Sequence, residues 1–300
     1  MALSGVQIHT MRVVARGIVI RLFSGKVLPS MAQEGRTLID THSHLLPGLD
    51  HGCPDLETSV LMARAAAESG VSTIVCTPHL TEWNEPLVAK AAVVTEDVRS
   101  ALARAGVEVR LLLGFEVDLS IAATVSIDRL RGLAIESLGD DPRCAIVLEM
   151  PYMGWPVYLV DTVFRLATAG LVPILAHPER NDRVQASSEL LRVCLGAGAM
   201  AQATAGSLGG EFGRPAVRAF DRLLGEGLIS MLASDAHAHR REGWTMAPML
   251  QGLAGQLTAE DITTLTETNP RLVLEGKPPI PLSAKAPASH RGRGRRSRLS

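Results

Sequence analysis

The sequence predicts an α/β barrel in which parallel strands are joined by helices. Between residues 36 and 282, seven short apolar runs, each able to form a strand, alternate with stretches of helical periodicity. The runs are apolar throughout, as expected of parallel strands whose outer face is covered by helices. A region of about 250 residues suits one barrel. The number and order of the units favour a barrel over an open doubly wound sheet.

Each strand candidate occupies a definite place along the chain. A clear helix candidate, DLETSVLMARAAAESG, follows the first strand, carries apolar residues at helical spacing and ends at Gly70. No GxGxxG follows the first strand and no GxxxxGK(S/T) occurs, which excludes the common nucleotide-binding fingerprints. The strand candidates are TLIDTH (37–42), VSTIVCTPH (71–79), VEVRLLLGFEVDL (107–119), CAIVLEMPY (144–152), LVPILAHPE (171–179), AMAQATAGSL (199–208) and GLISMLASDAH (227–237).

The composition is that of a globular protein with a large apolar core. Hydrophobic residues make up 46% of the chain and the formal net charge is -1, so no overall field attracts nucleic acid or an anionic membrane. We therefore expect no nucleic-acid partner. No apolar run approaches the ~20 residues of a membrane helix. The four cysteines form no CxxC pair, which favours core residues in a reducing compartment, and we expect a cytoplasmic protein.

Both ends of the chain differ from the predicted barrel domain, residues 37–282. Residues 1–36 form an N-terminal extension with no acidic residue before Glu34. A transit-like or surface amphipathic segment is one interpretation; we prefer an over-long start assignment, with Met31 as the initiator. Residues 283–300 hold five arginines between Arg291 and Arg298 among Pro, Ser and Gly. We expect this basic tail to be disordered, because it cannot bury enough apolar surface to offset its ordering entropy.

Side chains that can bind a metal follow six of the seven strand candidates. The sixth candidate is the exception, since it ends with only Thr204 and Ser207. The carboxyl ends of the strands in a parallel barrel gather at one face, so we expect nine imidazole and carboxylate groups to converge there. These candidate ligands are His42, His44, His51, His79, Glu116, Glu149, His177, Asp235 and His237.

Each of these residues alone is weak evidence for a metal site. A single strand-end histidine is more often a core or loop residue, His51 can be a solvent-exposed neighbour of Asp50, and Asp40 can cap or orient a ligand histidine. Their recurrence favours metal, because burying so many ionisable groups without compensating charge would cost several kcal/mol each. In the HxH pair, His42 and His44 share a face, as alternate strand residues do.

Nine ligands exceed the needs of one four-coordinate ion, so the sequence predicts two or three metal ions. Imidazole and carboxylate ligands without thiolate suit manganese, iron, cobalt or zinc, and the sequence does not choose among them. Glu116 is the carboxylate that we expect to bridge two of the ions.

The ordered set of motifs resembles the PHP superfamily, which is named for polymerase and histidinol phosphatase domains. Within it the chain is most similar to bacterial metal-dependent tyrosine phosphatases encoded with capsular and exopolysaccharide genes. The similarity spans residues 38–276 and is specific as a set, although HxH or DxH alone would be weak. The matching segments are IDTHSHLLPGLDHG, GVSTIVCTPHL, GFEVDL, VLEMPY, PILAHPERN, TAGSLGGEFG, MLASDAH and NPRLVLEG.

The resemblance implies a distorted (βα)7 TIM-like barrel of the PHP type, with a trinuclear and typically manganese-dependent site. Mn2+ is therefore the expected cofactor, with iron, cobalt or zinc as alternatives. The implied ligand sets, one for each ion, are His42, His44, Glu116 and Asp235; Glu116, Glu149 and His177; and His51, His79 and His237.

The resemblance also implies residues that bind the substrate phosphate. Arg180 of HPERN matches the expected phosphate-binding residue, and a second arginine after DxH is either Arg240 or Arg241. Two positions depart from the family pattern. His51 stands where this branch often has aspartate, and Thr204 replaces the asparagine that usually precedes AGS.

The function implied is hydrolysis of phosphotyrosine by metal-activated water. The implied partner is the phosphotyrosine tail of a bacterial tyrosine kinase that controls polysaccharide export; the sequence leaves the oligomeric state open. The main alternative is a PHP phosphatase of a small metabolite such as histidinol phosphate. A non-catalytic metal-bound module is disfavoured by the nearly complete ligand set.

Two other enzyme classes fit the sequence poorly. A cysteine-nucleophile tyrosine phosphatase is excluded, because no C-x5-R motif occurs. A binuclear amidohydrolase also begins with HxH, but its metals are usually bridged by a carboxylated lysine. None of the lysines here ends a strand candidate: they are Lys26, Lys90, Lys277 and Lys285.

Overall fold

Strands in the described chain follow the seven strand candidates in order. The computed structural model describes residues 11–15, 18–22, 37–240, 246–253 and 256–282, so Met31, Arg241 and the predicted basic tail lie outside the described residues. The predicted N-terminal extension contains an antiparallel pair, β1 and β2. The strands are β1 (Met11–Ala15), β2 (Ile18–Leu22), β3 (Leu38–Ser43), β4 (Val71–Cys76), β5 (His79–Leu80), β6 (Arg110–Leu113), β7 (Glu116–Asp118), β8 (Cys144–Glu149), β9 (Leu171–Ala176), β10 (Met200–Thr204) and β11 (Met231–Ala233).

Helices separate most of these strands. One correction concerns the sixth strand candidate, because its AGSL segment forms a short helix directly after Thr204 and does not extend the strand. No helix in the described part of the chain is a candidate membrane span. The helices are α1 (Leu56–Glu68), α2 (Glu85–Arg104), α3 (Leu119–Thr124), α4 (Ile127–Arg131), α5 (Leu159–Thr168), a 3-10 helix (Pro178–Arg180), α6 (Asp182–Ala186), α7 (Glu189–Gly196), α8 (Ala205–Leu208), α9 (Gly213–Gly225), α10 (Ala247–Leu253), α11 (Ala259–Thr263), a π-helix (Thr264–Thr268) and α12 (Asn269–Leu274).

The barrel strands pair in parallel in two sheets, ordered β3-β4-β6 and β11-β10-β9-β8-β7-β5. The second and third predicted strands each consist of two segments, β4 with β5 and β6 with β7. The Gly114 N–H donates to Cys76 O at 2.9 Å and the Glu116 N–H to Pro78 O at 3.2 Å, so pairing continues across both interruptions. A Cβ on Gly114 would lie 2.9 Å from Cγ1 of Ile135, which leaves room only for glycine. The predicted seven-stranded barrel is confirmed, with two strands that are each interrupted once.

Contacts between β3 and the residues that follow β11 bring the first and last barrel strands together. The Asp235 N–H donates to His42 O at 2.9 Å, and the His44 N–H donates to Ala236 O at 3.0 Å. Asp40 reinforces this junction, because its carboxylate accepts from the Ser234 N–H at 2.9 Å and from the Ser234 hydroxyl at 2.5 Å. The suggested role of Asp40 in orienting a histidine ring is therefore replaced by a role in joining the two strands.

Side chains on successive strand residues alternate between the barrel interior and the outer layer under the helices. In β8, Val147 belongs to the interior cluster, whereas Ile146 and Leu148 belong to the outer cluster. This burial of both faces explains why the strand candidates are apolar throughout. Val273 and Leu274 of α12 join the interior cluster together with residues near the strand starts, so the amino-terminal end of the barrel is filled with apolar side chains.

We expect Asp40→Ala to lower the free energy of unfolding of the metal-free protein by about 2–3 kcal/mol, because it leaves the buried Ser234 N–H without its acceptor. Guanidinium denaturation followed by circular dichroism measures the change. Asp97→Ala, at an exposed position of α2, is the control and should stay within about 0.5 kcal/mol of wild type. A loss for Asp40→Ala no larger than the control would remove this contact from the account of barrel closure.

Candidate metal centre

The nine predicted metal ligands all lie in described segments. His79 and Glu116 begin β5 and β7, the second segments of the two interrupted strands, and the others lie near the carboxyl ends of barrel strands or in the loops after them. His177 follows β9 and Asp235 follows β11. Both adopt left-handed backbone conformations, with φ of 37° and 50°, and they are the non-glycine residues with positive φ in the described chain. Such conformations cost free energy and cluster at functional sites, where surrounding contacts maintain them.

Glu116 lies at the middle of the cluster and has no exposed surface. Its Oε2 is 3.2 Å from Nε2 of His42, 3.3 Å from Nε2 of His44 and 3.1 Å from Nδ1 of His79. Its Oε1 is 2.8 Å from Nε2 of His177. Burial alone would raise the pKa of Glu116, but the surrounding imidazoles, chiefly His42, hold that pKa well below its usual range. The carboxylate is therefore ionised.

The two histidines of the HxH motif are oriented by acceptors that the sequence analysis did not identify. His42 Nδ1 lies 2.9 Å from Gln202 Oε1, and His44 Nδ1 lies 2.7 Å from Asp50 Oδ2. Gln202 is itself held because its Nε2 donates to Thr41 Oγ1 at 2.7 Å. An acceptor on Nδ1 keeps the proton there and leaves the Nε2 lone pair for a metal. The two Nε2 atoms lie 3.2 Å apart.

Asp50 also organises the loop that follows β3. Its carboxylate accepts from the Gly52 N–H at 2.8 Å and the His79 N–H at 3.0 Å. A Cβ on Gly52 would lie 2.1 Å from Cβ of His44, so only glycine permits this close approach. Burial would raise the pKa of Asp50, but the hydrogen bond and charge of His44 outweigh it and lower the pKa to about 2.

A group of imidazoles lies at the outer edge of the cluster. His51 is exposed, and its ring centre lies 4.8 Å from that of His237 and 5.1 Å from that of His79. Burial, followed by the charge of His44, lowers the pKa of His237 to about 2, so this ring is neutral, the form that binds metals. His239 was not predicted for the site, yet its ring centre lies 6.0 Å from that of His51.

Asp235 connects the metal-binding side of the site to an arginine pair. Its Oδ1 lies 3.3 Å from Nε2 of His44 and 3.6 Å from Nε2 of His42. Its Oδ2 lies 2.7 Å from Nη2 of Arg180 and 3.2 Å from Nη1 of Arg240. Burial would raise the pKa of Asp235, but Arg180 and the two imidazoles hold it well below its usual range. One carboxylate therefore faces the imidazoles on one side and two guanidinium groups on the other.

The position of Arg180 is constrained by its neighbours on several sides. It is 5% exposed, its Nη2 donates to Thr204 Oγ1 at 2.5 Å, and its guanidinium lies 3.6 Å from the ring centre of Phe212. Thr204 donates its N–H and its hydroxyl to Glu179 Oε1 at 3.1 and 3.2 Å. Thr204, one of the two departures from the family pattern, thus links Glu179 to Arg180. Arg241 is outside the described residues, and its role stays a prediction.

The donor set fits metal ions. Two ligand atoms that each lie about 2.1 Å from one ion, at an angle of about 90–110°, are roughly 3.0–3.4 Å apart. The distances from Glu116 Oε2 to the imidazole nitrogens of His42, His44 and His79 fall in this range. Buried polar atoms seldom lack hydrogen bonds. Within the described residues, four buried donor atoms of this cluster have no hydrogen-bond partner: His79 Nδ1, Glu116 Oε2, His177 Nδ1 and His237 Nε2.

The donor atoms come together in three groups, each compact enough to hold an ion. The first agrees with three members of the predicted first set. The second group contains His79 where His177 was predicted beside Glu116 and Glu149. The third contains His44 where His51 was predicted beside His79 and His237. The assignment of ligands to individual ions therefore stays a prediction. The three groups are His42, His44 and Glu116; His79, Glu116 and Glu149; and His44, His79 and His237.

Comparison with known proteins identifies the family. Residues 38–275 match a family model described as capsular polysaccharide synthesis, CpsB/CapC. The chain belongs to this family. Tyrosine-protein phosphatase YwqE of Bacillus subtilis is 33% identical over 257 residues, covering 83% of this chain and 98% of YwqE. Tyrosine-protein phosphatase CpsB of Streptococcus pneumoniae is 23% identical over 249 residues, covering 79% of this chain and 98% of CpsB.

A solved structure supports the same assignment. It comes from work on YwqE from Bacillus subtilis and CpsB from Streptococcus pneumoniae, described as unique metal-dependent tyrosine phosphatases. It superposes with a TM-score of 0.72 at 30% identity and covers 83% of this chain and 98% of that chain. The predicted resemblance to the capsular type of PHP phosphatase is confirmed, as is the barrel fold.

We expect Asp50→Ala to weaken metal binding about 10- to 100-fold, because His44 loses the acceptor that keeps its proton on Nδ1. Competition with a fluorescent chelator for Mn2+ measures the affinity. Asp128→Ala, at an exposed position of α4, is the matched control and should bind like wild type. Equal affinities for the two variants would show that Asp50 does not orient a metal ligand.

Proposed function

We propose that this chain is a metal-dependent protein-tyrosine phosphatase, a phosphoric monoester hydrolase that uses water as its nucleophile. The observation that supports the proposal is the contact of buried Arg180 with Asp235 of the metal-binding cluster, and Arg180 is the residue that we propose binds the substrate phosphate. The relatives YwqE and CpsB are named tyrosine-protein phosphatases, which supports phosphotyrosine over a small metabolite as the substrate.

The residues of the site divide the work of phosphate hydrolysis. When bound, metal ions supply a coordinated water whose pKa is near 7 and positive charge for the phosphoryl oxygens. Arg180 and Arg240 already lie within 3.2 Å of one carboxylate oxygen of Asp235, so an anion can take the same donors. A planar guanidinium offers paired hydrogen bonds to phosphate, and this adds to the binding of the transition state.

The chemistry needs no covalent intermediate on the protein. The described cysteines are free thiols, and burial raises the pKa of Cys53 and Cys194 to about 12, so neither is a nucleophile. A phenolic leaving group, with a pKa of about 10, departs with less protonation than an alkyl alcohol. Hydrolysis of an aryl phosphate therefore asks little of a general acid.

We further propose Mn2+ as the metal, with two or three ions per chain, and iron, cobalt or zinc as alternatives. The donors around Glu116 include imidazole and carboxylate but no thiolate, a mixture that these metals accept. His51 adds a further imidazole at the outer edge of the cluster. The resemblance implies that this branch of the family often has aspartate at this position, and His51 would therefore bring less negative charge to the site.

In the cell, we propose that the substrate is the phosphotyrosine tail of a bacterial tyrosine kinase that controls capsule or exopolysaccharide export. The family description, capsular polysaccharide synthesis, supports this role. A flexible tail would suit a site at the open end of a barrel, because it can present tyrosines singly to the pocket. We place the protein in the cytoplasm, where such a kinase tail would be accessible.

The substrate class is tested by comparing kcat/KM for a phosphotyrosyl peptide with kcat/KM for histidinol phosphate, using the full chain loaded with Mn2+. We expect a clear preference for the peptide, loss of activity on both after chelation, and recovery when Mn2+ is restored. A preference for histidinol phosphate would overturn the substrate assignment. Activity that survives chelation would overturn the metal-dependent mechanism.

Replacing the buried arginine tests the phosphate site. We expect Arg180→Ala to lower kcat/KM for a phosphotyrosyl peptide about 10²- to 10³-fold, because it removes a charged donor to the phosphoryl group, and Arg180→Lys to recover only part of the loss. Arg183→Ala, at an exposed position of α6, is the matched control. Steady-state kinetics at equal metal content measure kcat and KM for each variant. Unchanged KM and kcat for Arg180→Ala would exclude Arg180 from the site.

A further inference from the structure

A loop beside the metal centre exposes large apolar side chains. This rim loop, residues 151–158, connects β8 to α5 and begins two residues after the candidate ligand Glu149. Tyr152 is 50% exposed, Met153 77% and Val157 93%. Large apolar side chains that are exposed together and lie beside a site commonly mark a binding surface. The loop has no established role in the site described above.

The rim loop is held in place by the residues that follow Arg180. Asn181 Nδ2 donates to Pro151 O at 2.7 Å and to Gly154 O at 2.9 Å. The Asp182 N–H donates to Tyr152 O at 2.9 Å, and Asp182 Oδ1 accepts from the Gly154 N–H at 2.8 Å. Four hydrogen bonds thus tie the backbone of the loop to the segment that carries the phosphate-binding arginine. The exposed side chains are therefore presented in a defined position.

Within the rim loop, Tyr152 is the residue that reaches the metal centre. Its ring lies nearly parallel to the imidazole of His177, with ring centres 6.1 Å apart and an angle of 10° between the planes. His177 in turn contacts the central Glu116 at 2.8 Å. A half-exposed aromatic ring thus borders the site where a phosphoryl group would bind. The hydrogen bonds from Asn181 and Asp182 hold the loop that carries this ring against the segment that follows Arg180.

We propose that Tyr152 is a specificity-determining residue, whose ring packs against the aromatic ring of phosphotyrosine while the phosphoryl group is held at the metal centre. The inference rests on the proposed function and adds to it a physical basis for choosing aryl over alkyl phosphates. Aromatic pairs in stacked or edge-to-face contact gain affinity beyond the area that they bury. The gain applies only to a substrate that carries an aromatic ring, so Tyr152 favours aryl phosphates over alkyl phosphates.

The test uses two probes that share a phosphonate group and differ only in the ring, phenylphosphonate and methylphosphonate. Their Kd values are measured by calorimetric titration of the Mn2+-loaded full chain, so the result does not depend on turnover. We expect wild type to prefer phenylphosphonate, and Tyr152→Ala to raise the Kd of phenylphosphonate roughly 3- to 10-fold while the Kd of methylphosphonate stays unchanged. Tyr152→Phe should retain the preference, because it keeps the ring.

Tyr158→Ala is the matched control, since Tyr158 is a 40% exposed tyrosine of the same loop, and it should leave both Kd values unchanged. Equal increases for both probes in Tyr152→Ala would make Tyr152 a support of the phosphate site and overturn the inference. No change for either probe, or a change only in self-association, would also overturn it. A wild-type chain that hydrolyses no aryl phosphate would overturn the proposed function itself, whatever the two Kd values.

Discussion

The buried carboxylate of Glu116 imposes the main constraint on the open end of the barrel, because its negative charge has to be compensated there. Glu116 has no exposed surface, yet four imidazoles lie within 3.3 Å of its two oxygens. A buried anion is tolerated only where positive charge and hydrogen bonds compensate for lost hydration. Burial would lower the pKa values of His42 and His44, but the nearby carboxylates raise them, so these two imidazoles supply positive charge to Glu116. Bound metal ions would supply positive charge in the same place. The other functional groups are arranged around this requirement.

Barrel closure and the metal centre depend on the same segments. The backbone of Asp235 bonds to that of His42, so the junction of the first and last strands also brings two predicted ligands together. Asp40, two residues before His42 in β3, strengthens the junction through its hydrogen bonds with Ser234. A change that loosens closure should therefore separate ligands. Arg180 and Arg240 contact Oδ2 of Asp235, so this buried carboxylate keeps compensating positive charge when no metal is bound.

The sequence was sufficient to predict the strands, their polar ends and the family, because recurrence along the chain carries this information. It could not assign Asp50 or Gln202, since each acts on a histidine that only the closed barrel brings near. Gln202 left one signal, as a polar residue flanked by Ala201 and Ala203 within a strand candidate. The requirement for glycine at position 114, where the strand is interrupted, also escaped prediction, because it comes from a packing contact with the distant residue Ile135. The distribution of imidazoles among ions depends on side-chain directions that spacing does not encode.

Counting bound ions shows whether these donors converge to hold metal. The full chain is stripped with chelator, reloaded with Mn2+, separated from free metal by gel filtration and analysed by mass spectrometry. We expect at least two Mn2+ per wild-type chain and the loss of at least one in Glu116→Ala, because Glu116 belongs to two of the three donor groups. A wild-type chain that retains no metal, or a Glu116→Ala chain that retains as much as wild type, would show that these residues do not form a metal centre.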